Sequence, residues 1–257
     1  MIRQSRYGIC KLGRKLIFMK KYIFSLSFLF SMFFFSGCAQ FPKITTQIPG
    51  VSGISGVSNV KIADGLKQAL EIGVKDGVQK LSQKDGFFGN SMTKILLPQE
   101  LQNVDKTLRG IGLGSLADEG LKLLNRAAED AVTEATPIFT GAITSMTFND
   151  AKGILLGGDN SATNYLENKT QAELFTAFEP KVENSLGKVG ADRVWEQIIT
   201  KYNTFTGKNI TTDLNAYVTQ EAIKGIFKMV AQKEAGIRNN IGLRTTPLLQ
   251  EVFGLQD

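Results

Sequence analysis

The stretch GLKQALEIGVKDGVQKL, Gly65 to Leu81, decides the fold class. Leu66, Leu70, Val74, Val78 and Leu81 recur at steps of four and three, which places them on one face of a 3.6-residue helix. Asp85-Gly86 ends that segment. Downstream, Ile95-Leu96-Leu97 reads as a short extended piece, and Pro98 suits the first turn of the next helix. Leu101, Val104, Leu108 and Ile111 form that helix's apolar face. Ser115 is expected to cap a long alanine-rich segment carrying Leu121, Leu124, Ala128, Ala131, Ala135, Ile138 and Ile143. Pro137 inside it should kink or interrupt the helix.

The later segments keep the period. Thr147-Phe-Asn-Asp150 and Thr170-Gln-Ala-Glu173 have the form of capping boxes, in which a hydroxyl and the third residue's side chain satisfy free backbone N–H groups. Gly157-Gly158 closes the first of these helices. Leu174, Phe178, Val182 and Leu186 line the second, with a kink expected at Pro180, and Val194, Ile198 and Tyr202 line another. A long helix is predicted from Asp213 to Asn240 on Leu214, Val218, Ile223, Phe227, Val230 and Ile237. Thr246-Pro247 opens a terminal helix that stops at Gly254. Strand alternation is almost absent, so the expected fold is all-α, a single multi-helix domain.

Working outward, the N-terminal end is a different kind of sequence. Lys20 and Lys21 precede an apolar run from Tyr22 to Phe35, followed by Ser36, Gly37 and Cys38. A basic start, an apolar stretch of about 7–15 residues and a small-residue exit define an export signal. The run is short for a membrane span, which takes about 20 apolar residues. Phe35-Ser36-Gly37-Cys38 resembles the bacterial lipobox, with Phe35 where leucine is usual. The expectation is cleavage after Gly37 and a lipid on the Cys38 sulfur, anchoring the chain to a membrane. Two or more acyl chains make such an anchor stable where one does not. Ala39, where an aspartate would signal inner-membrane retention, favours the outer membrane, facing the periplasm. Met19-Lys20-Lys21 is itself a good start, which would make 1–18 an upstream extension; Met1 is the other reading. The organisation expected is therefore 1–37 signal peptide, 38–60 lipidated cysteine and tether, and 61–257 helical domain. The Pro-, Gly- and Ser-rich residues from Gln40 to Asn59 form the tether, whose Val51, Ile54 and Val57 offer contacts to the domain.

Charge follows the same division. The chain has 257 residues and a formal net charge of +6, but seven of its 30 basic residues precede Cys38 and no acidic residue does. The 23 basic and 24 acidic residues beyond it nearly balance, so the mature domain has no electrostatic case for binding nucleic acid. Of the two cysteines, Cys10 lies in the leader and Cys38 takes the lipid. No thiol is left for a disulfide, which a domain of roughly 200 residues can do without.

Several strings are similar to a family catalogued only as a domain of unknown function, DUF4197. They are Asn125-Arg-Ala-Ala-Glu129, Asp150-Ala-Lys-Gly-Ile-Leu155, Tyr217-Val-Thr219, Ile237-Arg238 and Thr245-Thr-Pro-Leu-Leu249. The resemblance runs from about Ile62 to Gly254. It departs at Leu166, after Tyr165, where the family pattern expects an aromatic residue, a change of packing more than of chemistry. It implies a bacterial, exported chain, often a lipoprotein, and carries no activity and no catalytic residues.

The chain has no histidine, which excludes Ser-His-Asp and Cys-His nucleophiles and, without a free thiol, ordinary zinc sites. No catalytic residue, metal ligand or cofactor is assigned. Arg109-Gly-Ile-Gly-Leu-Gly114 follows a helix rather than a strand and lacks a Walker lysine, so it reads as a helix stop and turn. Gly158-Asp-Asn-Ser-Ala-Thr-Asn164 lacks the EF-hand glycine and glutamate and reads as a loop with a helix cap. Asn125, Arg126 and Glu129 share a helix among alanines, and Glu234 and Arg238 are one turn apart on another. These five are the candidate buried polar network, formed if the two helices meet. The functional expectation is a non-enzymatic envelope module that binds a protein partner or an apolar ligand. The alternative is a carboxylate-dependent glycan hydrolase, with Glu129, Glu134 and Asp150 as candidates for a pair about 5–9.5 Å apart.

Overall fold

The computed structural model describes residues 57–188, 190–209 and 213–257. The expected signal peptide, its Phe35-Ser36-Gly37 exit, Cys38, the alternative starts and the tether up to residue 56 lie outside the described residues. The first helix, α1 (Asn59–Leu81), opens where the Ser58 hydroxyl accepts the Lys61 N–H at 3.3 Å. Helix therefore begins two residues before the expected boundary at 61, and Val57 is already buried.

Eight further helices follow among the described residues: α2 (Gln99–Gly110), α3 (Gly114–Ala131), α4 (Ala135–Thr144), α5 (Phe148–Leu155), α6 (Ser161–Lys188), α7 (Ala191–Thr206), α8 (Leu214–Asn239) and α9 (Pro247–Phe253). Short 3-10 turns occupy Val132–Glu134, Ile241–Leu243 and Gly254–Gln256, and no strand occurs among the described residues. The fold is all-α, as the periodicity requires. α8 is the central element, packed on α1, α3 and α6. Gly73 of α1 faces Lys233, while Gly77 faces Ile226 and Met229. Numbers rise along α1 as they fall along α8, so the two helices are antiparallel. Leu66, Leu70, Val74, Val78 and Leu81 are all buried, and each adds up to about 1.5–3 kcal/mol of transfer free energy. Phe139 of α4 meets Phe227 of α8 edge to face, centroids 5.6 Å apart. That geometry suits the ring quadrupoles and is worth about 0.5–1.5 kcal/mol beyond the area buried.

Three expected local signals resolve differently. Ser115 does not cap α3; the helix starts at Gly114 after Leu113, with no side-chain cap. Gly112, at φ +81°, reverses the chain, and the Leu113 N–H donates back to the Leu108 carbonyl at 2.8 Å. The 109–114 stretch is thus a helix stop and turn. Ile111 already lies beyond α2 and is exposed, unlike Leu101, Val104 and Leu108. Thr170 lies inside α6 and its hydroxyl donates to the Leu166 carbonyl at 2.7 Å, the back-bond open to a mid-helix threonine. Pro180 also lies inside α6, which runs on to Lys188. Pro137 does interrupt: α3 tightens into the 132–134 turn and α4 restarts with Pro137 in its first turn. Thr147 and Asp150 form the reciprocal box, at 3.2 and 3.0 Å. Asp213 and Thr246 cap α8 and α9.

Candidate functional site

The five candidate polar residues divide into two clusters. The first belongs to α3 and holds the segment between α1 and α2. Asn125, fully buried, accepts the Ile95 N–H at 2.8 Å through Oδ1 and donates to the Ile95 carbonyl at 2.9 Å. Its amide thus pairs with the extended segment as a neighbouring strand would. One turn on, the Glu129 carboxylate accepts the N–H groups of Asp85, Phe87 and Phe88 at 3.2, 3.2 and 3.4 Å, with the Arg126 guanidinium at 2.5 Å. Arg126, half-buried, also reaches Asp85 at 2.7 Å. Asp85 has φ +66°, a left-handed conformation that costs an L-residue energy, and the Arg126 pair holds it there. Gly86 is required, because a Cβ would fall 2.4 Å from the Lys80 carbonyl oxygen.

The second cluster belongs to α8 and fixes the corner between α5 and α6. Glu234 accepts the Ala162 and Thr163 N–H groups at 2.9 and 2.8 Å and the Thr163 hydroxyl at 2.8 Å. It therefore caps the start of α6 from another helix, where a carboxylate complements both the free N–H groups and the dipole. This is why the Thr170 signal was overridden. Arg238 donates to the Ile154 and Leu155 carbonyls at the end of α5, at 2.8 and 3.2 Å, and to Glu234 at 3.0 Å. One i,i+4 pair thus serves opposite ends of two consecutive helices. Arg244 repeats the device on α8 itself, donating to the Ile237 and Arg238 carbonyls, and is held by Asp257 at 2.6 Å.

α3 and α8 do pack together, but among the described residues no hydrogen bond or ion pair joins the two clusters. The expected single network is corrected to two, because each set of charges is consumed by backbone groups at its own end of the bundle. The carboxylates considered for hydrolysis are similarly engaged: Glu129 by three N–H groups and Arg126, Glu134 by Lys181 at 2.8 Å, and Asp150 in the capping box. Hydrogen bonds from Thr147 hold the Asp150 carboxyl below the usual carboxylate range.

Two kinds of space surround these clusters. Beside Glu234 and Arg238, between α1, α8 and α9, an apolar cavity of about 20 Å³ has room for one water and no more. At the other end, the segment docked by Asn125 forms a rib between two open grooves of about 570 and 330 Å³. Leu96, 59 % exposed, is common to both. Tyr217 donates to the Leu96 carbonyl at 2.8 Å and Lys228 to the Met92 carbonyl at 3.2 Å, so α8 braces the rib from one side. Gln102, Lys106 and Arg109 of α2 flank the other. Because α8 runs antiparallel to α1, this rib lies at the end of the bundle away from Val57.

Sequence reasoning named Asn125 and Glu129 but not the rib that Asn125 holds or the 85–88 turn that Glu129 holds, nor Leu96, Tyr217 or Lys228 as a set. The available signal was the apolar run Ile95-Leu96-Leu97 outside any helix, whose middle residue faces outward. The strings that carry the family resemblance converge on the two clusters: 125–129 and Tyr217 on the rib, 150–155 and 237–238 on the α5–α6 corner, with Thr246 capping α9. Leu166, where an aromatic residue was expected, is fully buried in α6.

No curated protein and no solved structure matches this chain. A family model described as a protein of unknown function (DUF4197) does match, over residues 56–254, which spans both clusters and the rib. The chain belongs to the DUF4197 family.

Proposed function

We propose that this protein is a lipid-anchored envelope module, tethered to a membrane through Cys38, that binds a protein partner rather than turning over a substrate. The observation that carries the interaction reading is the Leu96 rib. A large aliphatic side chain is held outward on a braced, extended segment between two grooves, where folding alone would favour a polar residue. Lys94, Lys228 and Glu221 line one groove and Asp105, Lys106 and Arg109 the other, with Arg109 paired to Asp105 and Asp118, so a rim of mixed charge surrounds an apolar centre. That pattern, an apolar centre inside a polar rim, suits a polypeptide with an apolar anchor. An apolar-ligand carrier is less well supported, since the apolar cavity between α1, α8 and α9 has room for only a water. The address rests on the signal, the lipobox-like 35–38 sequence and the balanced charge beyond it.

A photo-crosslinking residue at Gln102, in cells making the full chain, tests the reading. One discrete adduct is expected, lost on Leu96→Asp and absent when the crosslinker is moved to exposed Glu183 on α6. Identical adducts from both positions would refute the rib as a binding surface. In the same cells Cys38→Ala should abolish acyl labelling and release the protein from membranes; retained labelling would refute the anchor.

A further inference from the structure

The end of the bundle that receives the tether carries its own apolar pattern. Its corners are well fixed: Arg238 ties the last carbonyls of α5 to α8, and Glu234 ties the start of α6 to the same helix. Arg244 closes the end of α8, and Lys61 of α1 pairs with Glu251 of α9 at 2.8 Å. These bonds place the start of α1, the α5–α6 corner and the α8–α9 corner at one end. Each presents a large aliphatic side chain to solvent: Val60 at 69 %, Leu156 at 62 %, and Ile241 and Leu243 at 64 % and 40 %. Ile241 and Leu243 occupy a three-residue turn closed by the Leu243 N–H on the Asn240 carbonyl, at 2.9 Å, while Arg244 is buried beneath it. Helix corners place no demand on residue type that an aliphatic side chain meets better than a polar one. Single exposed leucines are ordinary, but apolar tips at three braced corners of one end are not explained by packing.

We infer that this end rests on the bilayer, with Val60, Leu156, Ile241 and Leu243 entering the interfacial region. The inference rests on the proposed anchor at Cys38. Eighteen residues lie between Cys38 and Val57, and a flexible chain of that length would have an r.m.s. reach of about 23 Å. α1 has 23 residues and is therefore about 34 Å long. The tether thus keeps the Val60 end close to the membrane while α1 holds the opposite end away from it. Apolar side chains on a surface held within reach of lipid partition into the headgroup boundary. The Leu96 rib, at the far end, then faces away from the anchoring membrane.

The test uses the lipidated full chain in vesicles of phospholipids with brominated acyl chains, which quench tryptophan on contact. The chain has one tryptophan, Trp195, so Trp195→Phe gives a silent background. In it, Ile241→Trp should show blue-shifted, quenched emission, and Leu96→Trp should show neither; both sites are exposed, so neither change enters the core. Quenching at neither site, or equally at both, in protein that floats with the vesicles would overturn the inference while leaving the anchor standing. Protein that does not float overturns anchor and inference together. A blue shift of the Ile241→Trp emission that tracks protein concentration without vesicles would assign the surface to a second copy and also overturn it. In the wild-type protein, hydrogen exchange at 156 and 241–243 should slow on vesicles, and unchanged exchange there would count equally against it.

Discussion

Replacing Glu234 with alanine removes the acceptor for two buried N–H groups and one hydroxyl, and the partner of a guanidinium whose side chain is 5 % exposed. The Ala162 and Thr163 N–H groups would each lose a bond, at about 1–3 kcal/mol for a buried group left unsatisfied. Removing one member of a buried ion pair costs about 3–5 kcal/mol, because the other charge stays behind. The two figures overlap. Arg238 keeps the Ile154 and Leu155 carbonyls, and water can enter the space vacated next to the existing cavity. The expected loss is therefore about 3–5 kcal/mol in total, a large part of the roughly 5–15 kcal/mol that holds a domain folded. For a domain of this size that is a fall in melting temperature of roughly 6–20 °C. Urea titrations followed by circular dichroism read it as a lower midpoint at unchanged slope. Glu221→Ala is the control, since its pair with Lys224 is exposed and worth less than about 1 kcal/mol. If Glu234→Ala costs no more than Glu221→Ala, the tertiary cap is not what holds the corner. Glu234→Ala with Arg238→Met should cost less than the sum of the two by about 0.5–3 kcal/mol. Glu234→Ala with Arg126→Ala should be additive, because the two clusters are separate.

Asn125→Leu keeps volume but strands both backbone groups of Ile95, so it should cost about 2–4 kcal/mol. Amide exchange across 93–97 should accelerate; wild-type protection there would show that the amide does not dock the rib. The Arg244 guanidinium holds the Asp257 carboxyl below the usual carboxylate range. A carboxyl whose folded pKa is depressed stabilises the fold above its unfolded value, near 4, and that contribution disappears as pH falls through the folded value. The stability difference between wild type and Asp257→Asn should accordingly be present at neutral pH, begin to shrink near pH 4 and vanish only as pH falls through the lower, folded value. A difference independent of pH would mean that the charge on Asp257 contributes nothing.

The helices were legible because amphipathic periodicity is a local code: the Leu66-to-Leu81 face, α8 between its caps Asp213 and Asn240, the Thr147 box and the Thr246-Pro247 start all survive in the fold. The burial of Asn125, Glu129, Glu234 and Arg238 was not legible in the same way: their spacing fits exposed helix-surface ion pairs equally well, and Arg126, on the same face, stays half-buried. The identity of their partners was not legible either. Glu234 caps a helix that begins 73 positions earlier in the chain, at Ser161, so Thr170, a better local signal, fails in its place. Leu96 reads in sequence only as part of a short extended piece; the docking of the Ile95 backbone by Asn125 and of the Leu96 carbonyl by Tyr217 fixes the segment with the Leu96 side chain outward. The helical period is a property of neighbouring residues, and the sequence carries it unaided. Which backbone ends a buried charge serves, and which apolar side chains remain exposed, depend on how α1, α3 and α8 meet, and packing alone decides that.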